Sequence, residues 1–358
     1  MIKTLPTTMR AAVITSPGKL KVTAVECPTP KSGEVLIKVW KAALCGTDQR
    51  VLRGEKDIEV PIIGHEIVGE VVAIGSAVTT TELGQRVAIQ TVIGCNDCPM
   101  CASDRQNLCE NGFKAIGYAW NGGFAEYMIV PAEGVRQGVL IALPNDFSDE
   151  LGTMIEPLSC CVNGMRYMPL EKMESLVVLG AGIIGVYNAL LAKIHGVKNV
   201  ILMNRSQPRL SLLESMNLPI DHLVNMADHD PLEWVKAHTD GRGVDGVVTA
   251  ASDKSLIPLG MDMLKRGGHL QMFAGVSKHD PVLPIDVNKI HYRELNLHGA
   301  NSSVRQDYLD TIAILQNNTV NWHSLITHRF GLSDFPAAVA TQADRAANSL
   351  KIIIDPTR

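Results

Sequence analysis

The sequence has no strong charge of either sign. Its 33 lysines and arginines stand against 37 aspartates and glutamates, a formal net charge of −4. That balance gives no reason to expect DNA, RNA or an anionic membrane as a partner. Low-complexity tracts, internal repeats and Pro- or Ser-rich linkers are missing as well. The N-terminal stretch MIKTLPTTMR lacks the apolar core of a signal peptide. One run, Leu176 to Ala192, is apolar enough to suggest a membrane helix. It is short, contains Asn188 and three glycines, and follows a strand-like segment, so it is not read as a membrane span. A cytoplasmic protein is expected, in a compartment where disulfides are rare.

What remains is a globular composition, 46% hydrophobic and 20% charged over 358 residues. That is long enough for more than one domain and more than one core. Four of its 8 cysteines crowd into GCNDCPMCASDRQNLC, at Cys95, Cys98, Cys101 and Cys109. Clustered thiols in a reducing compartment more often bind a metal than each other. The spacing C-x2-C-x2-C-x7-C offers four thiolates to one tetrahedral ion, and thiolate softness selects zinc or an iron–sulfur cluster. Asn96, Asp97, Ser103, Asp104 and Arg105 make this a polar loop, not a set of core cysteines. A closed four-cysteine site leaves no open position and is structural. Zinc ribbons that bind nucleic acid are usually basic, whereas this loop carries two acids and one arginine.

A second constellation is scattered. ALCGTDQR supplies Cys45, PIIGHEIVGEVVAIG supplies His65 and Glu66, and MIEPLSCCVNG supplies Glu156. Taken singly, each has a bland reading: a small core residue, a loop histidine, the cap of a helix begun by Pro157. Spacing alone does not bring them together.

SLVVLGAGIIGVYNALLAKIHG reads as an apolar strand, a glycine turn and an apolar helix. Gly180, Gly182 and Gly185 fit G-x-G-x-x-G in the context that makes the hexamer a dinucleotide fingerprint, with Ile183 and Ile184 opening the helix over the pyrophosphate. Beyond it, NVILMN, a helix from Gln207, HLVN, a helix around Trp234, VDGVVTA, a helix to Lys265 and GHLQMFAG alternate as in a doubly wound parallel sheet. An NAD enzyme usually ends its second strand in Asp or Glu. Here Asn204 is followed by Arg205, with Arg209 one helical turn on. Loss of the carboxylate relieves repulsion of a 2′-phosphate and guanidinium groups bind phosphate, so NADP is favoured over NAD. The competing reading has Asn204 on the ribose of NAD and both arginines in solvent.

CGTD, then GHE…G…V…G, then the four-cysteine lobe, then GGFAEY, then EP follow one another in the order of the zinc-dependent medium-chain dehydrogenases. The chain resembles that family over nearly its whole length, and its sorbitol (polyol) branch most. The resemblance implies an α/β protein: a mainly β, GroES-like catalytic domain over residues 1–156, a Rossmann domain over 157–297, and a segment 298–358 returning to the first, with the active site in the cleft between domains. It implies two zinc ions per subunit. The residues matching Cys45, His65 and Glu156 surround the catalytic zinc, and Glu66 lies beside it and ligates in some states. Simple-alcohol branches often have cysteine where this chain has Glu156, and the polyol branch has glutamate. Cys160 and Cys161 are read as helix core residues. The zinc would act as a Lewis acid on an alcohol or ketone oxygen. Thr47 matches the hydroxyl that takes the alcohol proton, and Asp48 the carboxylate that orients the zinc histidine. Many relatives pass the proton on through a histidine five residues after the zinc cysteine. This chain has Arg50 there, which cannot act as a base.

The expectation is a zinc- and NAD(P)-dependent oxidoreductase for a secondary alcohol of a polyol, sugar or sugar derivative, phosphorylated and acidic ones included. It would be a homodimer or homotetramer whose partner is a small-molecule substrate. Within the class the alternative is a threonine-type amino-alcohol or simple alcohol dehydrogenase. Outside it stands a zinc-stabilised nucleotide-binding sensor without turnover.

Overall fold

The computed structural model describes residues 5–358 other than 17 and 318. The chain divides into two compact units. One runs to Ser159 and takes up Ser302–Gln316 and Trp322–Arg358; the other consists chiefly of Cys160–Asn301.

In the first unit, seven described strands form one sheet. Its order is Ile326–Gly331, Lys351–Asp355, Val35–Ala43, Glu66–Ile74, Arg86–Ile89 and Leu140–Ala142, with Tyr127–Val130 also paired to Val35–Ala43. The central strand VLIKVWKAA is apolar enough to bury on both faces, and Val35, Ile37, Val39 and Ala42 join Phe124, Phe335, Ile352 and Ile354 in the core. Its last residue, Ala43, is flanked on both sides: Glu66 pairs with it on one edge and Ile353 on the other. The chain leaving this strand therefore passes between the start of one strand and the C-terminal strand. That register assembles the site.

In the second unit, six described strands run parallel in the order His222–Asn225, Asn199–Asn204, Ser175–Leu179, Val244–Thr249, Leu264–Met272 and Asn296–Gly299. The hydrophobic strands SLVVL and VDGVVT are wholly buried, as expected of a sheet covered on both faces. The helix expected to reach Lys265 stops at Met263, and Leu264–Met272 is already strand. Val244 pairs with Leu264, so the ladder takes the chain over before the helical pattern has run out. No helix among the described residues is long and apolar enough to cross a membrane; the run from Leu176 is the strand Ser175–Leu179 followed by the helix Ile183–Ile194.

Candidate active site, metal sites and nucleotide turn

Cys45 lies just past the central strand and caps the helix Gly46–Leu52. Its sulfur accepts from the Thr47 backbone N–H at 3.5 Å, while the Asp48 carboxylate accepts from the Cys45 N–H at 2.8 Å. This reciprocal capping fixes Cys45, Thr47 and Asp48 in one rigid turn. The Thr47 hydroxyl lies 3.7 Å from the Cys45 sulfur. His65 and Glu66 enter at the start of the neighbouring strand. One ligand atom each from Cys45, His65 and Glu66 falls within a 4.8 Å cluster. Glu156 is buried in the first turn of the helix Ile155–Met165; it lies outside that cluster but close enough for its charge to act on His65.

The electrostatics call for a cation. Burial alone would depress the His65 imidazole, yet the negative charges of Cys45, Asp48 and Glu156 overcome it and push it up to about 10. Burial raises the wholly enclosed Asp48 to about 6, against the pull of His65. Its Oδ1 is buried without a hydrogen bond and sits 3.6 Å from His65 Nδ1. A soft sulfur, an imidazole and carboxylates gathered around a point that stabilises positive charge suit zinc.

Three residues in this site were not singled out from the sequence. The Tyr118 hydroxyl lies 3.0 Å from His65 Nδ1, and the phenol is pushed well above its ordinary pKa by burial and by the charges of Asp48 and Cys45. Lys56 holds its ammonium 3.8 Å over the Tyr118 ring. Lys351, at the head of the strand KIIID, forms an ion pair with Glu66 in which each side chain is 1% exposed. Only the last left a signal: a lysine opening an apolar strand, where burial demands a counter-charge. Arg50 is half exposed, its Nε 3.8 Å from Glu55, and its charge acts on Lys56.

The four-cysteine lobe is local. Cys98 caps the short helix Pro99–Ala102, and backbone N–H groups of Cys95, Asp97 and Cys101 point at the sulfurs of Cys109, Cys95 and Cys98, at 3.3, 3.4 and 3.5 Å. Sulfur–sulfur distances are 3.9 Å for Cys95–Cys101 and 4.0 Å for Cys98–Cys109. A tetrahedron with Zn–S bonds of about 2.3 Å has edges of roughly 3.8 Å, so the four sulfurs fit one zinc. The N–H bonds favour thiolate and draw Cys95 down to about 6, while burial raises Cys101 to about 12. Gly94 is needed here, since a Cβ would stand 2.5 Å from the Cys101 sulfur. Cys160 and Cys161 join neither cluster. Cys161 is buried in its helix against Asn188.

The glycine turn of the second unit has the tightness its fingerprint demands. Gly180 sits at φ +115°, and a Cβ on Gly185 would come within 1.8 Å of the Gly180 carbonyl oxygen. Gly182 caps the helix Ile183–Ile194, and a Cβ there would meet nothing within 4 Å, leaving room for a pyrophosphate at the helix N-terminus. Ile183 and Ile184, half exposed, open the helix. Asn204 Oδ1 accepts from the Ala181 N–H at 3.4 Å, tying the turn to the end of the second strand. Arg205 is exposed, 3.5 Å from Asp253, and Arg209 is half buried.

Residues 31–140 match the profile of the alcohol dehydrogenase GroES-like domain, and residues 184–317 that of the zinc-binding dehydrogenase. The chain is 30% identical to the sorbitol dehydrogenase of Halalkalibacterium halodurans over 92% of its own length and 93% of that protein's. It is 32% identical to the L-threonine 3-dehydrogenase of Rhizobium johnstonii, with the same coverage. A zinc-binding dehydrogenase from Sinorhizobium meliloti, solved with NADP, superposes with a TM-score of 0.87 at 28% identity, covering 98% of this chain and 100% of that one.

Proposed function

The chain belongs to the zinc-dependent medium-chain alcohol dehydrogenase superfamily, in its polyol branch, and from that premise we propose that it interconverts a secondary alcohol of a polyol, sugar or sugar derivative with its ketone, using NADP in preference to NAD. The observation that carries this reading is the meeting of the Cys45, His65 and Glu66 ligand atoms within 4.8 Å, beside the Thr47 hydroxyl.

Cys45 and His65 would hold the catalytic zinc, with Glu66, which completes their cluster here, and Glu156, the ligand the resemblance implies, as its carboxylates; Cys95, Cys98, Cys101 and Cys109 would hold the structural one. Zinc bound there supplies Lewis acidity toward the alcohol oxygen. The chain's own groups supply the rest. Were its Nε2 to ligate the zinc, His65 would keep a proton on Nδ1, which lies 3.0 Å from the Tyr118 hydroxyl and 3.6 Å from Asp48, whose charge would hold that tautomer. Thr47 Oγ1 would accept the alcohol proton as its own hydroxyl proton passes to water, and the Tyr118 phenol, hydrogen-bonded to Thr47, orients that hydroxyl. Arg50, engaged by Glu55, takes no part in that transfer. Gly180, Gly182, Gly185, Ile183 and Ile184 would seat the pyrophosphate, and Asn204, Arg205 and Arg209 the adenosine ribose with its 2′-phosphate.

A second reading, oxidation of L-threonine, is favoured by the 32% identity to an enzyme of that name. Steady-state assays of the zinc-loaded protein with glucitol, ribitol, aldonates and L-threonine, each with NAD and with NADP, separate the two. Turnover confined to L-threonine would replace the polyol reading, and turnover of nothing would remove both.

A further inference from the structure

We infer that Lys56 anchors a negatively charged group of the substrate, a carboxylate or phosphate carried on the polyol skeleton. The inference rests on the polyol reading above and narrows it. Between Arg53 and Glu59 the charged side chains of Arg53, Glu55, Asp57 and Glu59 are exposed, and Lys56 alone is drawn in to half burial. Its ammonium sits on the face of Tyr118, whose hydroxyl reaches His65. The charges of Cys45, Asp48 and Glu156 act on it, against the like charge of Arg50, which places it on the side of the proposed zinc ligands.

Among the described residues this cation has no partner of opposite charge, and no carboxylate lies within ion-pair distance of Lys56. Of the two acids adjacent in sequence, Glu55 is held by Arg53 at 2.6 Å and Arg50 at 3.8 Å, and Asp57 is exposed. A ring face offsets part of the lost hydration but engages no N–H in a hydrogen bond to an acceptor. A half-desolvated ammonium with open donors beside the reacting groups is a poor match for an apolar alcohol. Hydroxyls would satisfy its hydrogen bonds, and only an anion would also satisfy its charge.

The test uses the zinc-loaded protein and matched six-carbon probes in the gluco and galacto series: the neutral hexitol, the aldonate and the hexitol 6-phosphate. Dissociation constants come from calorimetry. Wild type should bind one anionic member at least about tenfold more tightly than the hexitol, an advantage that shrinks with added salt. The member that wins distinguishes carboxylate from phosphate. Lys56→Met should bring the ratio to within about twofold of one, and Lys56→Arg should keep most of it. Should Lys56→Met not fold, Lys56→Gln serves the same comparison, with zinc content and melting temperature as controls. Equal binding of all three probes by wild type, or an unchanged ratio in a folded Lys56→Met variant, overturns the role of Lys56. Failure of the polyol reading looks different: no probe is oxidised with either cofactor, whatever the binding ratio.

Discussion

Lys351 and Glu66 stand 285 residues apart in the chain and form an ion pair that is 99% enclosed on both sides. The backbone explains the meeting. Glu66 opens the strand on one flank of Ala43 and Lys351 the strand on the other, and the Leu44 N–H donates to Ile352 at 3.0 Å. A carboxylate that also lies against Cys45 and His65 is thereby held in place from the far end of the sequence.

Removing one member of such a pair leaves the other charged and buried. Lys351→Met should therefore cost about 3–5 kcal/mol of stability, read from denaturant unfolding of the zinc-loaded protein. The double variant Lys351→Met with Glu66→Gln should recover a large part of that loss, because it leaves no lone charge behind. A fully additive double variant would show that the two groups do not interact.

Metal content should be about two zinc ions per chain, lost separately. Cys98→Ser should remove one ion and lower the melting temperature, since a closed site contributes folding free energy. Cys45→Ala or His65→Ala should remove the other, abolish turnover and spare NADP binding, which involves the other unit. Glu156→Ala should weaken retention of that second ion about 10-fold to 100-fold if the carboxylate acts from behind the ligands, and more if it ligates directly. Iron with visible charge-transfer colour, in place of zinc, would refute the assignment.

Much of this was legible because it is local. The four cysteines of the lobe lie within fifteen positions, and the glycine turn declares itself by the strand before it and the helix after it. The alternation that follows foretells the parallel sheet. Cys45, His65 and Glu156 could be gathered only through a family resemblance, because nothing in their spacing shows that they meet. Tyr118, Lys56 and Lys351 escaped for a related reason. Their roles come from a ring under an ammonium, a hydroxyl 3.0 Å from an imidazole, and a strand register, and none of these has a sequence period.

A pH effect should arise in the second unit. His269 Nδ1 lies 3.2 Å from His298 Nε2, and Tyr167 stacks on His298. Burial holds both histidines below their ordinary pKa, and His298 adds to the depression of His269 against a weak opposing pull from Asp245. The unfolded chain then takes up protons first as pH falls through about 6.5. Stability contributed by the pair is full above that value and lost on acidification. The drop in melting temperature between pH 7.5 and 5.5 should be smaller in His298→Gln than in wild type. Equal drops would mean the pair does not report on folding.

The proposed preference for NADP can be tested at two arginines and one aspartate. If Arg205 and Arg209 clamp a 2′-phosphate, replacing both with alanine should raise the KM for NADP and leave that for NAD nearly unchanged. Each charge-assisted contact is worth roughly 1.5–3 kcal/mol, so the loss of two should amount to about a hundredfold or more. Asn204→Asp should push the same way, by repelling the phosphate and gripping the ribose hydroxyls. The structure adds a third handle. Arg205 lies 3.5 Å from Asp253, on the loop after the strand Val244–Thr249, and to reach a phosphate it must give up that carboxylate. Asp253→Asn removes the competitor, so it should lower the KM for NADP while Arg205→Ala raises it. Should the arginines be solvated and idle, none of these substitutions would move either constant, and wild type would already prefer NAD. Wild-type kinetics with both cofactors therefore come first, and a clear preference for NAD would end the NADP assignment before any variant is made.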